Sequence, residues 1–302
     1  MKLRALTAIV LIPPVLYLSV WSPGWLFFSV LVVVVVRTVY EYFELSRAAG
    51  FGGYRWLGYA GSAALCLAQW VDLSLEGSPD TAGAIGRLAP AVLIVVVLVI
   101  PLGLTLALIW TRELRDYLKA ACSTLFAILY VGLMLSFLVP LRLSGTVAQQ
   151  AAGIVPPRYL LLFLFAVIWS GDIFAYVVGR GFGRTLIFPH ISPKKTLEGS
   201  LAGLAGSLLV AWALAVWWQT SDLKTVMLWA GLVALAGQAG DLAESALKRS
   251  ADIKDSGSLL PGHGGLLDRV DSLIVGAPVL WLALVLKSGP TACVDLQRLL
   301  GR

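Results

Sequence analysis

The side chains best suited to chemistry in this 302-residue chain crowd into one stretch, Gln238 to Leu273. Asp241, Glu244, Ser245, Lys248 and Arg249 fall at i, i+3, i+4, i+7 and i+8, which is one face of a helix. That face carries two carboxylates and two cations to the polar end of an otherwise apolar span. A Gly/Pro-rich segment with Lys254, Asp255 and His263 follows, and then Asp268 and Asp271 stand one helical turn apart. Carboxylates converging with cations offer oxygen ligands to a hard divalent ion and positive charge to phosphates. The plainer alternative is a pair of solvated helix ends held by short-range ion pairs, and it accounts poorly for so many polar groups at a membrane boundary. His263 and His190 are each alone in their loops, without a second His or Cys at ligand spacing, so neither is read as a metal ligand or as catalytic.

Two further stretches carry unusual residues. Asp172 interrupts the apolar run from Leu160 to Arg180, where an ionisable group costs roughly 2.5–3.5 kcal/mol on insertion scales. It must face a polar cavity or a partner; a salt bridge to a neighbouring helix is the structural alternative. The segment from Gly179 to Ser200 combines glycines with Arg180, Arg184, Lys194 and Lys195, and it opens the next helix with Ser192-Pro-Lys-Lys-Thr196-Leu-Glu198-Gly199. Glycine turns and helix N-termini present N–H groups to phosphate, and lysine adds charge. A basic loop beside anionic lipid explains the same residues. Neither GxxxxGK[ST] nor GxGxxG is present.

These groups need a scaffold, and composition says which kind. Apolar residues make up 59% of the chain and charged ones 13%, with a mean hydropathy of +0.86. Such a composition excludes both an ordinary soluble enzyme and a disordered chain. Apolar stretches at about 4–20, 25–43, 56–71, 88–110, 120–140, 159–179, 199–218, 225–246 and 271–287 predict an all-α polytopic membrane protein of about nine transmembrane helices. Of the 23 Lys and Arg residues, sixteen fall in loops on the N-terminal side of this arrangement and seven on the other. That bias predicts a cytoplasmic N-terminus and an outside C-terminus. It also explains the net charge of +6 without a nucleic-acid partner. Cys66, Cys122 and Cys293 form no disulfide or zinc pattern. The first apolar run lacks a small-residue cleavage site and reads as a retained helix. Residues 1–158 hold transmembrane helices without recognisable chemistry, a scaffold or a dimer- or lipid-facing part. Residues 159–302 form the region with the polar loops.

The run Ser245-Ala-Leu-Lys248-Arg249 through Lys254-Asp255-Ser-Gly257, Leu260-Pro261-Gly-His263-Gly264-Gly265 and Asp268-Arg269-Val-Asp271 resembles the signature of phosphatidate cytidylyltransferases, also called CDP-diglyceride synthases. Gly171 to Thr185 and Ile191 to Ser200 also resemble that family's polar stretches, so the resemblance covers about residues 165–275. Ile173 departs from the expected Thr or Ser, and Arg184 from the common Lys. The resemblance implies an enzyme that condenses CTP with phosphatidate to CDP-diacylglycerol and pyrophosphate in phospholipid biosynthesis. It implies Mg2+ at paired aspartates, here Asp241 and Asp268, with Glu244 and Asp271 alongside, and a possible second, monovalent cation such as K+. Lys248, Arg249, Lys254 and Arg269 would hold phosphates. Asp172, Arg180, Ser192, Lys194, Lys195, Thr196, Glu198, His263, Gly264 and Gly265 would frame the substrates. A homodimer in the bacterial inner (plasma) membrane, with its site on the cytoplasmic side, completes that expectation.

Three rivals stand beside it. An enzyme that consumes CDP-alcohols requires a DGxxAR…GxxxDxxxD pattern, which is absent. An ion-coupled transporter would use Asp172, Asp241 and Asp268 as a pathway and would show polar groups in both halves. A cytidylyltransferase for another lipid phosphate fits the same residues.

Overall fold

The computed structural model describes residues 2–75, 90–110, 114–145, 151, 153–254, 256–257 and 264–287. Among these the architecture is all helical, with an isolated bridge between Leu186 and Thr196. Nine helical elements follow in chain order: α1 (Lys2–Val20), α2 (Gly24–Ala48), α3 (Arg55–Leu75), α4 (90–110), α5 (Leu114–Leu143), α6 (Leu160–Phe182), α7 (Leu197–Trp217), α8 (Leu223–Ser250) and α9 (Leu267–Lys287). They coincide with the nine expected stretches. Six, namely α2 and α5 to α9, are long and apolar enough to cross a membrane, and α4 holds a shorter apolar segment, Val95–Ile109. His263 and Cys293 lie outside the described residues.

The helix ends differ from the apolar runs where polar residues extend them. α8 continues to Ser250 rather than stopping near 246, because Lys248 and Arg249 sit in its last turn, where cations favour the negative end of the helix dipole. α9 begins at Leu267 rather than 271, with Asp268 in its first turn beside the positive end. The chemistry-bearing side chains therefore stand on helices. α4 and α5 are interrupted by π-helical turns at Val95–Val99 and Ala127–Leu133.

Hydrophobic burial alone cannot pair helices in lipid, so small residues and interhelical hydrogen bonds do it. Gly171, Ala175 and Gly179 on α6 are spaced by four, as are Gly199, Gly203 and Ser207 on α7. A Cβ on Gly199 would come within 2.9 Å of the Ala175 carbonyl, and one on Gly203 within 2.9 Å of the Gly171 carbonyl. Ser207 Oγ adds a hydrogen bond to Val167 O at 2.7 Å. α8 and α9 meet equally closely: a Cβ on Gly240 would collide with the Asp271 carbonyl. That contact sets Asp241 beside Asp271. One apolar core joins Val35, Val39 and Phe43 of α2, Val131 and Leu135 of α5, Leu164 and Val167 of α6, Val233 of α8 and Ile274 of α9.

At the far end of α8, Asp222 caps the helix by accepting from Thr225 N at 3.0 Å. Lys287 Nζ, 2.6 Å away, closes the same end of α9. The Lys287 ammonium, together with the Thr225 hydroxyl and amide, holds the Asp222 carboxyl well below the usual carboxylate range.

Candidate active site

The chain direction brings the C-termini of α6 and α8 and the N-termini of α7 and α9 to one end of the bundle. There they enclose a cavity of about 1120 Å³. Two helix N-termini facing one space direct their positive dipole ends into it. Asp172, Arg180, Lys194, Lys195, Thr196, Asp241, Asp268, Arg269 and Asp271 all line it. Residues 80 or more positions apart in sequence thus share one chamber.

The α6–α7 loop is held in shape by its own polar groups. Ile187 N donates to Lys195 O at 3.2 Å and Leu197 N to Thr185 O at 2.8 Å, folding the loop back on itself. Thr196 is the N-cap of α7, its Oγ1 accepting from Gly199 N at 3.2 Å. Glu198 accepts from Arg184 N at 3.1 Å and from the Thr185 hydroxyl at 3.0 Å, so its carboxylate braces the loop from outside the cavity. Ser192 closes the turn that precedes Lys195, whose N donates to Ser192 O at 3.2 Å. The outcome is a fixed Lys195, with Nζ 2.8 Å from Asp241 Oδ2. Arg249 ties α8 to this loop through Nε and Ile191 O at 3.3 Å. Arg180 donates to the Tyr176 hydroxyl at 2.7 Å.

On α8 and α9, Asp241, Glu244 and Asp271 each offer a carboxylate oxygen, all within 4.8 Å of one another. Glu244 is fully buried, and its Oε1 has no hydrogen-bond partner among the described residues. An all-oxygen donor set with an unpaired buried oxygen fits a hard divalent cation such as Mg2+. Lys248 links this cluster to Asp268: its Nζ lies 2.5 Å from Glu244 Oε2 and 2.7 Å from Asp268 Oδ1. The other Asp268 oxygen accepts from Ser256 N at 3.0 Å, Ser256 Oγ at 2.9 Å and Gly265 N at 2.8 Å. Asp268 therefore organises the segment entering α9 and joins the cluster through Lys248. Gly264, at φ +77°, supplies the left-handed turn before it. Lys254 is exposed in the segment after α8 and Arg269 at the cavity edge.

Sequence reasoning overlooked two groups. Gln238 and Ser200 pair across α7 and α8, Oγ to Oε1 at 2.8 Å and Nε2 to Ser200 O at 3.1 Å, on the cavity wall. Glu41, on α2, reaches the same region: its Oε2 accepts from Leu267 N at 2.8 Å. Glu41 stands among Arg37, Glu44 and Arg47 on α2, so the signal that singled out Asp172, a lone ionisable residue in an apolar run, does not mark it.

A multi-helix bundle with an acidic cluster ringed by fixed cations at the ends of membrane-length helices is a membrane protein built to handle phosphate groups. A sequence model of the Cytidylyltransferase family matches residues 2–287, and the chain belongs to that family. It is 34% identical over 283 residues to the phosphatidate cytidylyltransferase of Synechocystis sp., covering 87% of this chain and 89% of that protein. The phosphatidate cytidylyltransferase of Thermotoga maritima is 34% identical over 195 residues, 62% of this chain and 67% of its own. That of Brucella abortus is 47% identical over 128 residues, 40% and 45% of the two chains.

Proposed function

We propose that this enzyme condenses CTP with phosphatidate to form CDP-diacylglycerol and pyrophosphate, a step of phospholipid biosynthesis. One observation carries the reading: Asp241 and Asp271 of the acidic cluster, with Glu244 buried behind them, line one cavity with Lys195, Arg269 and Arg180 at the end of membrane-length helices. Family membership and the names of the relatives support it against the transporter. An oxygen of the lipid phosphate forms a new bond to the α-phosphorus of CTP. The bond from that phosphorus to the bridging oxygen of the β-phosphate breaks, and pyrophosphate leaves with the electron pair.

The attacking phosphomonoester has a second pKa of about 6 and is largely dianionic near neutrality, so no protein base is required. The chain's task is to align the groups and neutralise charge. Asp241, Glu244 and Asp271, with Asp268 joined to them through Lys248, would hold Mg2+. Bound there, the ion would offset negative charge on the phosphates. Lys195 is held beside Asp241 and faces the same space, so it binds phosphate close to the acidic cluster. Lys194, Arg180 and Arg269 line the cavity and receive the remaining phosphate charge, with Arg249 and Lys254 at its approaches. Thr196 and Asp172 line the same cavity and frame the nucleotide. Residues 1–158 act as scaffold. Loop charge supports a cytoplasmic mouth in a bacterial inner membrane; a homodimer and a monovalent ion rest on the resemblance alone.

Detergent-purified protein given α-labelled CTP, Mg2+ and phosphatidate should move label into an organic-extractable CDP-lipid only when both substrates are present. Asp268→Asn should lose that conversion. Label transfer from CTP to a different lipid phosphate, with phosphatidate inert, would replace the substrate; no transfer at all from folded protein would remove the reading.

A further inference from the structure

Glu41 sits in the last third of α2, beside Tyr42 and Phe43, and is only 1% exposed. A helix that merely packs would carry an apolar residue there, as it does at Val35 and Val39. Burying a carboxylate is costly unless it is paired; here Oε2 is hydrogen-bonded, while Oε1, without a hydrogen bond among the described residues, has an ion pair. Oε1 lies 3.3 Å from Arg37 Nη2, one helical turn back. Oε2 accepts from Leu267 N at 2.8 Å and from Ser256 Oγ at 3.3 Å. Leu267 opens α9, so a side chain from α2 satisfies an amide that α9 itself leaves open. The Ser256 hydroxyl lies between two carboxylates, Glu41 and Asp268. Glycines make room for this: a Cβ on Gly265 would collide with Glu41 and Ser256, and one on Gly257 would come within 3.1 Å of Glu41 Oε1.

We propose that Glu41 is a positioning residue: from the N-terminal helices it pins Ser256 and the first turn of α9, so that Asp268 and Asp271 stay turned toward α8. The kinetic arm of its test rests on the transfer reaction proposed above; the exchange arm does not. Three variants separate contact from charge. Glu41→Asp keeps the anion beside Arg37 but shortens the reach to Leu267 N. Glu41→Gln keeps the reach and an acceptor oxygen but drops the charge. Glu41→Ala drops both.

Kinetics should show Asp and Ala losing about 30- to 100-fold in kcat, the scale of a misplacement near 1 Å, with KM for CTP changed by less than about threefold. Gln should recover to within about fivefold of wild type, on the same positional argument. An active Asp variant beside an inactive Gln variant would mean that charge alone matters, and would overturn the proposal. So would three variants that fall together in kcat and melting temperature, the mark of plain packing. Without substrate, hydrogen exchange at residues 264–272 should speed up at least about tenfold in Glu41→Asp while 225–235 stays protected. Unchanged exchange there overturns the proposal even where wild-type turnover fails, a failure that counts against the transfer reaction instead.

Discussion

The helices before residue 158 and those after it share one apolar core but use their polar side chains differently. In the first region several buried hydroxyls bond back into their own helix, Thr38 Oγ1 to Val34 O at 2.8 Å and Ser136 Oγ to Leu133 O at 2.7 Å, while a few tie elements together, Ser46 Oγ to Ser123 Oγ at 2.7 Å and Tyr54 N to Thr124 Oγ1 at 2.9 Å. Those of the first kind are satisfied locally and leave the packing surfaces to valine and leucine. In the second region polar groups bond between elements: Lys195 with Asp241, Lys248 with Asp268, Ser200 with Gln238. A polar group satisfied inside its helix contributes packing; one satisfied across helices fixes relative position, which is what a reacting geometry requires. Glu41 is a first-region side chain whose hydrogen bond reaches into the second region.

The sharpest way to break this contrast is to neutralise a carboxylate in the cluster. Asp271→Asn should lower kcat about 10³-fold, at the upper end for loss of one electrostatic contributor, while the melting temperature holds. Activity near wild type would end the distinction between the regions. Lys248→Met should act on both properties, because it leaves Glu244 and Asp268 buried without their shared cation. A loss on the order of 3 kcal/mol of stability is expected, read from detergent unfolding curves, together with loss of turnover. In the first region, Leu135→Ala opens a cavity in the core and should cost about 2–5 kcal/mol with KM for CTP unchanged. A shifted KM there would show that the scaffold reaches the site by more routes than Glu41.

The smallest effect belongs to Asp222, at the end of the bundle away from the cavity. Its carboxyl is held below its ordinary range when folded, so its contribution is present above the unfolded pKa near 3.9 and is lost as pH falls through the folded value. Asp222→Asn should therefore lower the melting temperature slightly at neutral pH, converge with wild type in strong acid, and leave turnover unchanged.

Much of this was readable from the residues. Apolar runs mark where helices must be, because lipid offers the backbone no other partner. The spacing of Asp241, Glu244 and Lys248 marks one helical face, and they do share it with one another's neighbours in space. Two things were not readable. Asp241, Glu244, Asp268 and Asp271 were all expected at the ion, but which of them stand together rests on the tight approach of Gly240 to the Asp271 backbone, and a contact between backbones leaves no periodicity to find. Glu41 meets Leu267 across 226 positions, a separation at which no local spacing rule applies.

The central claim is that the α8 and α9 carboxylates hold the divalent ion beside the nucleotide. Its most direct test is binding of Mn2+, as a spectroscopic stand-in for Mg2+, to purified wild-type and Asp241→Asn protein with CTP present, followed by electron paramagnetic resonance. Wild type should bind the ion and make CDP-lipid, and the variant, folded to the same melting temperature, should lose both. Equal Mn2+ affinity and equal turnover in the two proteins would contradict the claim.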